Sequence, residues 1–74
     1  MSKGDVHTVP HDQGWANERE GASKASSVHP TKEQAMEAGR TTAKREHVEH
    51  LIHTNDGQIA ERNTYKQDPF LPKG

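Results

Sequence analysis

The stretch PTKEQAMEAGRTTAKREH, from Pro30 to His47, constrains this chain more than any other. Thr31 followed three residues later by Gln34 makes the Ser/Thr-x-x-Glu/Gln capping box, and Pro30 biases His29 toward an extended backbone. A helix therefore starts near Lys32. Glu33 and Glu37 occupy its first turns and Arg40, Lys44 and Arg45 its last, which suits the helix dipole at both ends and carries the helix to about Glu46. Along it Ala35, Ala38, Gly39 and Thr42 recur at i, i+3, i+4 and i+7. Such a stripe has no bulky side chain to pack with, so it predicts a helix lying very close to a sheet.

The rest of the composition makes that close approach necessary. Leu, Ile, Val and Phe together number nine of 74 residues, and seven of the remaining apolar residues are Ala. A chain this short buries only about 60% of its unfolded surface, so one small core is the limit. So few large apolar groups border on disorder, but a net charge of -1 supplies none of the self-repulsion that usually accompanies it. The expectation is a single domain over residues 1–74, ordered from about 5 to 65, with 66–74 as an extended tail. There are no cysteines, so neither disulfides nor thiolate chemistry can contribute. MSKGDVHTV lacks a signal-peptide apolar stretch and no run approaches the about 20 apolar residues of a membrane span, so a cytoplasmic, membrane-free protein is expected.

On either side of the helix the pattern is that of strands. HVEHLIHTNDGQIAER alternates around Asn55-Asp56-Gly57, a strong hairpin signal, and predicts strands near 49–53 and 58–62. DVHTVPHDQGWANERE predicts another pair near 5–9 and 15–19. GASKASSVHP, rich in small polar residues, reads as a surface loop or a short irregular edge segment. The predicted class is α+β, in the order β-β-α-β-β: a small, mainly antiparallel sheet of four strands with one helix packed on a face.

GWANEREGASKASSVHPTKEQAMEAGR, followed by HLIHTNDGQIAERNTYKQDPF, resembles a family of small bacterial proteins known only as domain of unknown function 2188. Gly14-Trp15, Thr31-Lys32-Glu33, Asp56-Gly57 and the segment 65–69 carry the resemblance. It implies an independent bacterial module and no particular activity. Asn17 departs from the pattern, since an apolar strand residue is expected there.

Six histidines raise the question of a metal, with His47, His50 and His53 spaced i, i+3, i+6. That run crosses from helix end into strand, where His50 points away from the other two. With no cysteine and no H-E-x-x-H pattern, exposed strand and turn histidines are the better reading, and no metal or other cofactor is expected. No nucleophile elbow and no phosphate-binding glycine loop is present, so neither an enzyme nor a small-molecule substrate is expected.

Two kinds of partner remain. Arg19, Lys24, Arg40 and Lys44 offer a local basic patch for nucleic acid, with Trp15 either an exposed stacking ring or the core's one large anchor. A small sheet with one helix also resembles the arm-type DNA-binding domains of phage integrases and the hybrid-binding module of some ribonucleases, at the level of fold. Two of the three aromatic residues, Tyr65 and Phe70, lie with Leu71 in the proline-punctuated end of the chain. They serve either as an intramolecular clasp that completes the core or as a docking segment for another protein. The leading expectation is a non-enzymatic interaction module that binds protein or self-associates through the sheet and this tail, with a nucleic-acid or ribonucleoprotein binder as the alternative.

Overall fold

The computed structural model of the chain describes residues 4–65. Five strands and one helix follow in the order β1 (Val6–His11), β2 (Gly14–Arg19), β3 (Ala25–His29), α1 (Lys32–Glu46), β4 (Glu49–His53) and β5 (Ile59–Thr64). They form one mixed sheet with the spatial order β3-β2-β1-β4-β5. Three neighbouring pairs are antiparallel, and β1 with β4 is parallel. The class is α+β, as the sequence predicts, with one strand more than expected. Ala25–His29, read as a loop or irregular edge, pairs with β2 from Trp15↔His29 to Glu18↔Ala25. Its small side chains have little strand propensity of their own, and the β2 ladder supplies the order that they lack.

The helix has the predicted bounds because its ends are set by local chemistry. Thr31 is extended, with φ -129° and ψ 157°, and its hydroxyl accepts the Gln34 N–H at 3.2 Å. At the other end His47 turns left-handed at φ 59°, and the Val48 N–H closes onto the Ala43 carbonyl at 3.1 Å. That single αL residue sends the chain directly into β4.

Register decides which side chains meet the helix. Val6 lies opposite Arg19 and His50, and Thr8 opposite Asn17 and Ile52, so these six share one face of the sheet. Across that face the helix buries Ala35, Gly39 and Ala43, one residue per turn. Ala38 and Thr42 are half-buried beside them, so the contact stripe is turned slightly from the predicted one. Its main contacts are with β1, β2, β3 and β4. Val6, Ala43 and Val48 form an apolar cluster at one end, closed by Tyr65, whose N–H donates to the Val48 carbonyl at 3.2 Å. Tyr65 is thus partly buried against this cluster; Phe70 and Leu71 lie outside the described residues.

Candidate functional site

Beneath the middle of the helix the core is polar. Asn17 Nδ2 donates to the Ala35 carbonyl at 2.8 Å, which fixes the amide's orientation because a carbonyl can only accept. Asn17 Oδ1 therefore faces the Thr8 hydroxyl at 2.6 Å and accepts its proton. With that proton committed, Thr8 Oγ1 can only accept from His50 Nε2, 2.7 Å away. His50 is thus the neutral Nε2–H tautomer, and its Nδ1 is left buried with no hydrogen-bond partner. All three side chains are at most 3% exposed. This corrects the reading of exposed strand histidines in the case of His50, and it explains Asn17: the position is buried, as an apolar residue there would be, but it holds the helix by a hydrogen bond to the Ala35 carbonyl.

Gly39 makes this seam possible. A Cβ on Gly39 would lie 2.6 Å from Asn17 Oδ1, 2.7 Å from His50 Nε2 and 3.1 Å from Thr8 Oγ1. Any larger residue there would push the helix off the seam or the seam apart. His50 is correspondingly hard to charge. Burial lowers its pKa below the ordinary 6.5, Arg40 and His7 lower it further, and Glu61 opposes them.

To one side of this seam the helix leaves a groove of about 430 Å³. Met36, Arg40 and Lys44 overhang it, His50 and Ile52 form its floor, and Glu61, Asn63 and Tyr65 form the far wall. Lys44 Nζ stands 6.0 Å from the centroid of the Tyr65 ring, and Arg40 pairs with Glu37 at 3.0 Å on the exposed helix surface. All six residues of β5 are exposed.

Of the four cations that the sequence offers for a nucleic-acid patch, Arg40 and Lys44 come together over the groove. Arg19 is held elsewhere: its Nε and Nη2 donate to the Gly4 carbonyl at 2.9 and 2.8 Å, and Nη2 also reaches Glu46 at 3.3 Å. Lys24 is exposed in the β2–β3 connection. Trp15 is half-buried, with Lys32 Nζ 5.0 Å from its centroid, so the ring is partly enclosed at the start of the helix. Sequence reasoning missed Thr8, Asn17 and His50 as a unit. The available signal was the two-residue period of the strands, which places Thr8 and His50 inward once Val6 and Ile52 are.

Among the described residues no group of three or more His, Cys, Asp or Glu side chains is arranged to hold a metal ion, and no helix is long and apolar enough to cross a membrane. Among the described residues the fold and site define a one-helix, mixed-sheet α+β domain with a polar seam and a β5 edge that lies beyond the helix's main contacts. The chain belongs to the family of uncharacterized proteins conserved in bacteria (DUF2188), whose pattern matches residues 6–65. It is 34% identical over 59 residues to the uncharacterized protein YdaT of Bacillus subtilis (strain 168), across 80% of this chain and 39% of that protein. The chain thus spans about two fifths of the length of that curated relative. No solved structure matches it.

Proposed function

We propose that this protein is a non-enzymatic, cytoplasmic interaction module that binds an extended segment of another protein along β5. The observation that carries this reading is that β5 is an edge strand with all six residues exposed, beside a groove that the helix leaves open. An unpaired edge is a template for strand addition, and pockets beside it select alternate side chains of the added strand. Arg40 and Lys44 over the groove favour carboxylates on that strand's helix-facing side.

A second copy is a poorer occupant. In an antiparallel pairing of β5 with itself, residues on the same face must oppose each other. The two central registers then place Glu61 against Glu61 or Arg62 against Arg62, and like charges directly opposite are destabilising. The test is hydrogen exchange on the full chain with a captured partner, after nuclease treatment. Protection of the β5 amides, and loss of capture in an Arg40→Glu, Lys44→Glu variant, are expected. Capture that disappears with nuclease would overturn this reading.

One observation favours nucleic acid as a second reading: Arg40 and Lys44 stand together beside the Tyr65 ring, a cation pair next to a stacking surface. Binding to a random oligonucleotide would then weaken steeply with salt. No binding at low salt removes it.

A further inference from the structure

We infer that the segment that adds to β5 is short and acidic: it bonds to the outward backbone groups of Arg62 and Thr64 and carries two adjacent carboxylates, one opposite Arg62 and one opposite Asn63. This rests on the edge-docking reading above and adds to it a backbone frame and a charge. The frame follows from one hydrogen bond. The Tyr65 N–H donates to the Val48 carbonyl at 3.2 Å, and Glu49↔Thr64 and His50↔Asn63 continue the same antiparallel register. In such a ladder, residues that exchange backbone bonds with the neighbouring strand alternate with residues whose N–H and C=O point away from it. Tyr65, Asn63 and Glu61 therefore turn their backbone groups to β4. Thr64 and Arg62 turn theirs to the outer edge.

The frame ends at Ala60. Ile52 lies opposite Glu61 but His53 lies opposite Ile59, so Ala60 is one residue extra on β5. A bulge of this kind bends the strand, increases its twist and interrupts regular pairing. A regular added strand is thus confined to residues 61–64. A short usable edge also guards against indiscriminate pairing.

Side chains divide between the two faces of the sheet. Glu61 and Asn63 lie opposite Ile52 and His50 on the helix face, and both line the groove that Arg40 and Lys44 overhang. Arg62 lies opposite Leu51 on the face turned away from the helix. Adjacent residues of an added strand point to opposite faces in the same way. The residue opposite Arg62 meets a cation on the far face, and its neighbour opposite Asn63 faces the cations of the groove; a carboxylate is favoured at both. Arg62 is 60% exposed and 3.7 Å from Glu49, and Arg40 is 45% exposed and 3.0 Å from Glu37. Ion pairs this exposed are weak, so both guanidinium groups can turn to a partner. Glu61 bounds the acidic stretch, because a carboxylate directly opposite it is destabilised.

The probe is a capped peptide, acetyl-Val-Thr-Glu-Glu-Lys-Thr-amide, titrated at low salt into the full chain and followed through the backbone amide resonances. In an antiparallel alignment its first Thr, two Glu and Lys fall opposite Thr64, Asn63, Arg62 and Glu61. Slowed exchange of the Arg62 and Thr64 amides is expected, those of Glu61 and Asn63 being slow already in the free chain. Replacing both glutamates of the peptide by glutamine should weaken binding about threefold or more. Arg62→Pro should abolish binding and keep the native melting transition, because the lost N–H bonds nothing in β4 and an edge strand tolerates proline there. Lys24→Glu, in the β2–β3 connection, should change nothing. If Arg62→Pro does not fold, exchange in the free, unmodified chain decides: an Arg62 amide as slow as those of Glu61 and Asn63 overturns the frame. No binding of the acidic peptide, or equal binding of its glutamine form, overturns the acidic partner. Edge docking itself falls only if a captured protein partner protects no β5 amide.

Discussion

The two edges of the sheet meet the same helix on different terms. At the β3 edge the side chains alternate between half-buried and exposed, and the helix packs against the strand. At the β5 edge all six residues are exposed, and the helix overhangs a groove instead of filling it. The difference does not come from the edge strands, since neither carries large apolar side chains on the helix side. It comes from the seam. Asn17 on β2 holds the helix at the Ala35 carbonyl, and Gly39 lets it lie directly on the Thr8, Asn17 and His50 side chains, which keeps α1 toward the β2 side and leaves β5 beyond its main footprint. An apolar contact could slide by a few ångströms; a directed hydrogen bond beside a close backbone approach resists that. In a chain with so little core, a polar contact helps set the position of the helix, and among the described residues that position leaves the helix side of β5 uncovered.

The strongest way to break this asymmetry is to remove the grip. Asn17→Ala removes the donor to Ala35, the acceptor for Thr8 and the longer bond to Ser27, and it strands the Thr8 hydroxyl in a buried place. A buried polar group left unsatisfied costs about 1–3 kcal/mol, so a loss of about 3 kcal/mol in denaturant unfolding is expected. Next comes Gly39→Ala. Helix propensity alone predicts a gain of about 1 kcal/mol, but overpacking against the seam costs about 1–3. A net loss of up to about 2 kcal/mol is expected, and a net gain would show that the helix is free to lift from the seam. Tyr65→Ala removes the side chain that closes the Val6, Ala43 and Val48 cluster; at partial burial, about 1–2 kcal/mol should be lost.

Acid tests the seam without mutation. His50 is held neutral in the folded state by its lowered pKa, while in the unfolded chain it takes up a proton near 6.5. Above that pH the two states bind the same number of protons at this site and His50 leaves stability unchanged. As pH falls below about 6.5 the unfolded state binds more, so stability declines until the lower folded pKa is reached. Melting temperatures of the parent and of a His50→Gln variant across pH 5–8 should converge in slope above neutrality and diverge below it, the parent falling faster. Parallel curves would mean that His50 protonates without disturbing the seam.

What could be read from the sequence divides along the same line. The bounds of α1 were legible because capping box and charge placement are local chemistry, written within a few residues of each end. β4 was legible from alternation beside the Asn55-Asp56-Gly57 turn. β5 begins and ends later than the pattern suggests, because Glu61, Arg62, Asn63 and Thr64 offer no apolar alternation to mark a buried face. β3 was not legible as a strand, since its Ala and Ser residues become a strand only through β2. The seam was hidden for a stronger reason: a buried Thr, Asn or His is favourable only when its partners are in place, and those partners are separated by nine to 42 positions. Asn17 was the one visible trace, a polar residue where the pattern called for an apolar one.

The smallest expected change in stability carries the sharpest functional test. Ile59 is 50% exposed at the start of β5 and contributes little to the core, so Ile59→Lys should shift stability by no more than about 0.5 kcal/mol. A lysine on an exposed edge is nonetheless one of the devices by which proteins prevent strand addition. If an extended partner adds to β5, Ile59→Lys should keep the parent's melting temperature and lose capture of that partner. The matching substitution at the other edge, Val28→Lys, provides the control: Val28 is also exposed, at 39%, but lies on the strand that the helix packs against. Capture lost only with Ile59→Lys would place the partner on the open edge. Capture lost only with Val28→Lys would move it to β3 and undo the functional meaning given to the uncovered side. Capture unaffected by either would leave the sheet edges out of recognition altogether, and the asymmetry of the helix would then be a matter of folding alone.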